Sequence, residues 1–520
     1  MGMDSYKISD GVIMKNGYYI ILTILVFAGS IAGVEIADLS WNEPVVQSNI
    51  NLSWLQERNE TVQLAENQAN GYDFALSDWS KFTGSIGKYF RKKDNGRFFN
   101  YQLPERKDIF NISMSLLAGI DLTYNDNEPY NFQFYGLRTE GEIGKNLFFY
   151  SEMWSGHFNI YELSDLSNSP LIDSWSKHSG SQRTIDNVTG KMLYRSNFAD
   201  IGIGRGKYEI GSNIGGSVIL NDHANDYGYF NLDLKLGDFR FSVMNASLVP
   251  DSTTSISGEG YADFDYLENK YLAIHKIDWR RGEKLHIFIG EEAVYGGRAP
   301  ELSYLMPFTI MRIAEHNLGN PDNMLIFAGF DAQISKANTL YFNLILDEMR
   351  KAELTTNWWG NKYAMQLGDA AEFDLGFWKR AVFEITMVRP WIYTHEAMIT
   401  KYSHDGRCLG FPEGSNLIQT AMEVNFVFTE RLKFDLNTAF IRQGHTGANW
   451  EANYLSEITD IDNEKTALLE GNPENRYKFT GIVSWQLLEH HFLKAGFRRT
   501  IFEDSDENYW KAYFSFITRY

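Results

Sequence analysis

Cysteine is almost missing from this chain. Among 520 residues Cys408 stands alone, which excludes intramolecular disulfides and thiolate metal clusters. Long apolar runs are missing too: beyond Ala32 no stretch approaches the ~18 consecutive apolar residues of a helical membrane span. Positive charge is in deficit, with a net charge of −19 and a sequence pI of about 5.1. A nucleic-acid binder needs a basic face to neutralise phosphates, so that class is excluded. The acidity suits a lumen and loops that face water. A G-x-S-x-G elbow and an H-E-x-x-H helix are both absent, so no catalytic or metal residue is assigned and no cofactor is expected.

Aromatic residues are abundant at 15%, and they fall in a pattern of period two. In Phe110 to Tyr124 the even positions Phe110, Ile112, Met114, Leu116, Ala118, Ile120, Leu122 and Tyr124 form an oily face. Asn111, Ser113, Ser115, Asp121 and Thr123 form a mostly polar one. A strand of a soluble sandwich usually stops after about five or six residues. This one is long enough to cross a bilayer at a tilt. The same alternation returns in Phe230–Leu236, Leu340–Leu346, Met422–Phe428, Leu432–Phe440 and in the last stretch, from Trp510 to Tyr520. A mean hydropathy of −0.33 fits a barrel, in which only alternate residues meet lipid.

Taken in order, the chain opens with an apolar run, Tyr18 to Ala32, after Lys15; this reads as a cleaved signal peptide over 1–32. Residues 33–107 change period. Val46, Ile50, Trp54 and Val62 recur at four-residue multiples, which predicts a small helical segment, free in the periplasm or plugging one mouth. From 108 to 520 about eighteen strands follow, sixteen if the glycine-rich stretch 200–220 holds none. Short turns near 144–146, 236–238, 281–283, 335–338, 429–431 and 488–490 alternate with long connections at 158–190, 249–268, 294–324, 349–361, 390–416 and 443–475. That parity predicts an all-β, antiparallel outer-membrane barrel with short periplasmic turns and long external loops. Its wall predicts a test: Leu344→Arg, facing lipid, should be costly, whereas Asn343→Arg, facing the lumen, should be better tolerated.

Gly202, Gly204, Gly206, Gly211, Gly215 and Gly216 superficially suggest a phosphate cradle. Without a βαβ unit around them they read instead as bends or close approaches in a barrel wall. More informative is the series Gly204-Arg205, Lys207, Gly211, Gly216-Ser217, Asp222 and Ala224, continued by His275, Trp279, Glu291, Tyr295-Gly296-Gly297-Arg298, Pro300-Glu301-Leu302, Tyr304, Pro307, Asp322-Asn323, Asp331 and Asp347. Over roughly 190–390 this series resembles the Wzi-type capsule-assembly family in its Bacteroidetes-like form. The resemblance implies an outer-membrane barrel of about eighteen strands with a helical plug at its periplasmic end, without enzymatic activity, that acts as a surface lectin attaching capsular polysaccharide or exopolysaccharide; a monomer is expected.

Arg205, Glu291, Tyr295, Arg298, Glu301, Tyr304, Asp331 and Asp347 are the candidate carbohydrate-binding or lumen-organising residues, because aromatic faces and planar polar groups are what sugars need. For any one of them a structural role is the stronger reading, with an Arg298–carboxylate pair holding the 294–324 loop across the lumen. A substrate-specific porin is the alternative function, and a barrel enzyme acting on lipid or glycan is a third.

Overall fold

In the computed structural model, the described residues are 99–102, 110–158, 184–256 and 264–519, less 126–129, 145, 251–252, 283, 351–352, 354–355, 430, 452, 489–490 and 504–507. The signal peptide and most of the helical segment expected over 33–107 lie outside them. Eighteen strands form the wall: β1 (Phe110–Asn125), β2 (Tyr130–Ile143), β3 (Leu147–Phe158), β4 (Thr184–Arg195), β5 (Ala199–Gly206), β6 (Tyr227–Leu236), β7 (Phe239–Leu248), β8 (Lys270–Arg281), β9 (Leu285–Gly296), β10 (Asn323–Gln333), β11 (Asn338–Glu348), β12 (Lys362–Leu375), β13 (Trp378–Val388), β14 (Leu417–Thr429), β15 (Leu432–Gln443), β16 (Glu474–Leu488), β17 (His491–Phe502) and β18 (Tyr509–Arg519). Each pairs antiparallel with its neighbour in sequence, and β18 closes on β1 from Leu117↔Arg519 to Asn125↔Lys511. Phe99–Gln102 pairs with β1 over Asn111–Met114, below the last β18 partner. Closure removes the unpaired edges that a bilayer forbids.

The period-two reading sorts the faces correctly. Ser113, Ser115, Asp121 and Thr123 are buried inside, whereas Leu116 and Tyr124 are exposed outside. Along the other strands Ile203, Phe230, Ile289, Leu367, Phe383 and Phe479 continue the exposed outer belt. Aromatic residues crowd both ends of that belt, with Trp279, Trp378 and Trp485 near the short turns and Tyr124, Phe440 and Trp510 at the opposite end. Such a greasy cylinder with two aromatic girdles is built for the outer membrane, where the protein belongs. The glycine-rich region resolves in favour of eighteen strands: Ala199–Gly206 and Tyr227–Leu236 are both wall, and only the piece between them leaves it.

A wall of this many strands encloses a wide lumen. Two long connections fill part of it. Residues 207–226, between β5 and β6, and 389–416, between β13 and β14, fold inward and share one apolar core that includes Ile210, Val218, Leu220, Tyr393, Tyr402 and Phe411. On the external side, Trp358, Trp359, Trp391 and Tyr454 form a further cluster. The Trp358 and Trp359 indole N–H groups both donate to the Ile461 carbonyl, at 3.1 and 2.8 Å.

Candidate functional site

Three places hold polar chemistry that the wall alone does not require, and the first is the seam under the 207–226 loop. Gly211 takes a φ of +93° there, and a Cβ would lie 2.6 Å from the Asn343 side-chain oxygen. Only glycine permits both the turn and the approach. Asn343 donates to the Ser212 carbonyl at 2.7 Å, and Gln366 both accepts from Val218 N–H at 3.0 Å and donates to the Gly216 carbonyl at 2.8 Å. Glu384 accepts from Ile214 N–H at 3.2 Å and from the Tyr341 hydroxyl at 2.8 Å. Such bonds satisfy backbone groups that a loop takes out of water. Ser212 donates to Asp331 at 2.5 Å; the other Asp331 oxygen meets His286 Nδ1 at 3.0 Å, and His286 Nε2 meets Asp278 at 2.8 Å. The serine faces a carboxylate rather than the imidazole, so this chain of groups lacks a nucleophile–base pair and serves as a tether.

The second loop is pinned in the same manner. Tyr393 donates its hydroxyl to the Val218 carbonyl at 2.7 Å, and Tyr402 bonds the Ile219 carbonyl at 2.9 Å and the Glu292 carboxylate. Asp347 accepts from Tyr393 N–H at 3.0 Å, and Asn221 N–H donates to the Leu409 carbonyl at 2.8 Å. His404 Nδ1 accepts from Val249 N–H at 2.9 Å while its ring meets Tyr227 edge-on at 5.4 Å. Burial pushes His404 down to about 4, so it stays neutral at physiological pH.

The second place is the lumen wall of β2–β4, where aromatic and charged side chains share the inward face. Phe132, Phe134 and Trp154 have ring centroids 5.6 to 5.9 Å apart. Below them Arg138 bonds Glu140 at 3.1 Å, approaches Glu152 at 3.8 Å, and lies 6.0 Å from the centre of the Tyr150 ring. Arg138, Glu140 and Glu152 keep a fifth to a third of their side-chain surface open. Thr189 and Asn187 on β4 both donate to Asp226, across from this patch. Rings beside planar charged groups, still wet, are what a sugar ring requires; the buried external tryptophans offer no such face.

The third place is outside the barrel. Glu291, Tyr295, Arg298, Glu301 and Tyr304, which sequence reasoning assigned to a sugar site or to the lumen, do come together, but on the outer surface. On β8 and β9 the exposed Ile277, Ile287 and Ile289 mark the outward face, and register puts His275, Glu291, Ala293 and Tyr295 on that same face. Residues 297–322 cover them as an external strap carrying a 3-10 turn (Leu302–Leu305) and α1 (Met311–Asn317). Arg298 and Asp322, near its two ends, form a bidentate pair at 2.8 and 2.6 Å, and the Tyr304 hydroxyl adds a bond to Asp322 at 2.7 Å. Tyr295 accepts from Asn245 at 2.9 Å and lies 5.1 Å under the Arg298 guanidinium. Glu301 caps the 3-10 turn through Ser303 N–H at 3.0 Å, and Glu291 accepts from Met311 N–H at 2.6 Å. The expected Arg298–carboxylate pair is therefore real, but it ties down a strap on the outer wall instead of spanning the lumen.

Of the remaining candidates, Asp331 and Asp347 face the lumen as tethers, and Arg205, on the face of β5 that carries Ile201 and Ile203, is exposed and stands apart. Phe134, Arg138, Glu140, Glu152 and Trp154 were missed. Their signal was present as a polar–aromatic alternation on the inward parity of β2 and β3. Among the described residues no group of three or more His, Cys, Asp or Glu is placed to hold a metal ion.

No protein-family model and no curated protein matches the chain. Solved structures similar to it include Wzi, an outer-membrane protein involved in group 1 capsule assembly in Escherichia coli and described as a carbohydrate-binding β-barrel, at 12% identity and a TM-score of 0.49 over 77% of this chain and 83% of that one. OpdK of Pseudomonas aeruginosa, solved with vanillate, is 9% identical with a TM-score of 0.47 over 79% and 98%. A BenF-like porin of Pseudomonas fluorescens is 8% identical with a TM-score of 0.46 over the same shares.

Proposed function

We propose that this protein is a non-enzymatic surface barrel that holds capsular polysaccharide or exopolysaccharide at the outer membrane. The observation that carries the reading is the pairing of two loops packed into the lumen with a wet aromatic wall. The 207–226 and 389–416 loops meet in a continuous apolar core, as suits a protein whose work is to bind rather than to conduct. Beside them the β2–β4 wall sets Phe134 and Trp154 next to Arg138, Glu140 and Glu152. A sugar stacks its C–H face on a ring and offers vicinal hydroxyls to planar acceptors and donors, and this patch supplies both kinds. Trp154→Ala and Glu152→Gln are expected to release polysaccharide from cells whose barrel is present at normal level. Undiminished retention in the double variant and in a strain lacking the gene would overturn the reading. In planar bilayers the intact protein is expected to be nearly silent; a large steady conductance would favour the substrate-specific porin.

A further inference from the structure

The external strap leaves one face unexplained. Leu302, Met306, Phe308, Ile310, Ile313 and Leu318 remain between 45% and 74% exposed. That is six large apolar side chains in seventeen residues. The opposite face is packed: Tyr304 and Met311 join Ala273, Ala293, Tyr295 and Met324 in a small core against the outer wall. Phe308 accepts a φ of +66°, unusual for an aromatic residue, and its ring stacks 4.6 Å from Phe241.

Height along the wall identifies what this face meets. Phe241 is the third residue of β7, near the short-turn end, and His275 and Glu291 sit halfway along β8 and β9. A strap that touches all three descends from the external rim to mid-bilayer depth. His275 and Glu291 would be costly at such positions against hydrocarbon. The strap relieves them: the two His275 ring nitrogens face the carbonyls of Thr309 at 2.9 Å and Tyr304 at 3.0 Å, while Glu291 takes the first N–H groups of α1. The exposed face is then continuous with the lipid belt of Ile277, Ile287, Ile289 and Ile326, which are 39–54% exposed.

We infer that residues 297–322 lie within the membrane as a strap whose apolar face is covered by lipid acyl chains. The inference does not depend on the polysaccharide reading. A water-facing surface of this composition would be an association site instead, so the two alternatives predict opposite environments.

Site-directed spin labelling decides between them. In the full chain with Cys408→Ser, nitroxide labels are placed singly at Ile313→Cys and Ile310→Cys, with Ile289→Cys as the lipid standard and Asp462→Cys as the external-loop standard, all in phosphatidylcholine vesicles. The expected result is that 313 and 310 match 289, accessible to oxygen and shielded from a water-soluble nickel chelate. Nickel accessibility matching that of 462 would overturn the inference and mark the strap as an aqueous docking surface. Shielding from both quenchers with spin–spin broadening between copies would also overturn it, in favour of a self-association interface.

Discussion

Asp322 is the residue on which the strap depends. Its side chain is fully buried, takes both Arg298 nitrogens and also accepts the Tyr304 hydroxyl. Removing the carboxylate leaves Arg298 and a buried phenol without their partner, whereas removing the phenol costs one bond. Arg298 keeps about a third of its side chain in the open, which softens the loss. Asp322→Ala is therefore expected to destabilise strap docking by roughly 2–4 kcal/mol and Tyr304→Phe by about 1 kcal/mol. Protease cleavage rates within 297–322 in micelles should rise in that order; equal rates would mean that Asp322 is not the anchor. The sequence made these residues visible as a group, because Glu291, Tyr295, Arg298, Glu301 and Tyr304 follow one another at chemically suggestive spacing. It did not reveal the side they occupy. The missing step was parity: Glu291 and Tyr295 share the odd positions of Ile287 and Ile289, so a polar residue there had to be covered from outside.

At the scale of elements, the wall was legible and the folded loops were not. Alternation exposes a strand directly, since period two survives in any register. The 207–226 loop follows no period: Ile210, Ile214 and Val218 to Leu220 are buried by contact with partners far along the chain. This overturns the tolerance expected at Asn343. Its face is the lumen, as the alternation implies, but it is 1% exposed and pressed against Gly211. Leu344→Arg is expected to cost about 2–4 kcal/mol if it lies near mid-bilayer, seen as failed insertion. Asn343→Arg should insert normally yet free the 207–226 loop for proteolysis. The second loop carries a pH response. His404 in the folded chain is held near 4 against an ordinary value of 6.5, so the unfolded loop binds the proton first. Docking of the loop is fully favoured above about pH 6.5 and weakens as pH falls toward 4, with on the order of 3 kcal/mol lost below it. Dithiodipyridine labelling of buried Cys408 should accelerate across that window, and His404→Asn, which keeps an acceptor, should flatten the response.

For the whole molecule, the filling of the lumen rests on two loops that each support the other. Tyr393 and Tyr402 from one loop hydrogen-bond the carbonyls of Val218 and Ile219 from the other, and Gly216 lies against Pro412 too closely for any side chain. Neither loop has a complete apolar core without its partner, so their docking should be cooperative. Gly216→Val places a branched side chain at a φ of +103° and into Pro412. It is expected to displace both loops from an intact wall. In planar bilayers that variant should change from near silence to frequent large openings, and the pair of Tyr393→Phe and Tyr402→Phe should cost more than the two single changes added together. Additive losses, with Gly216→Val still silent, would mean that the loops do not close the lumen as one unit and that the barrier lies elsewhere along the cylinder.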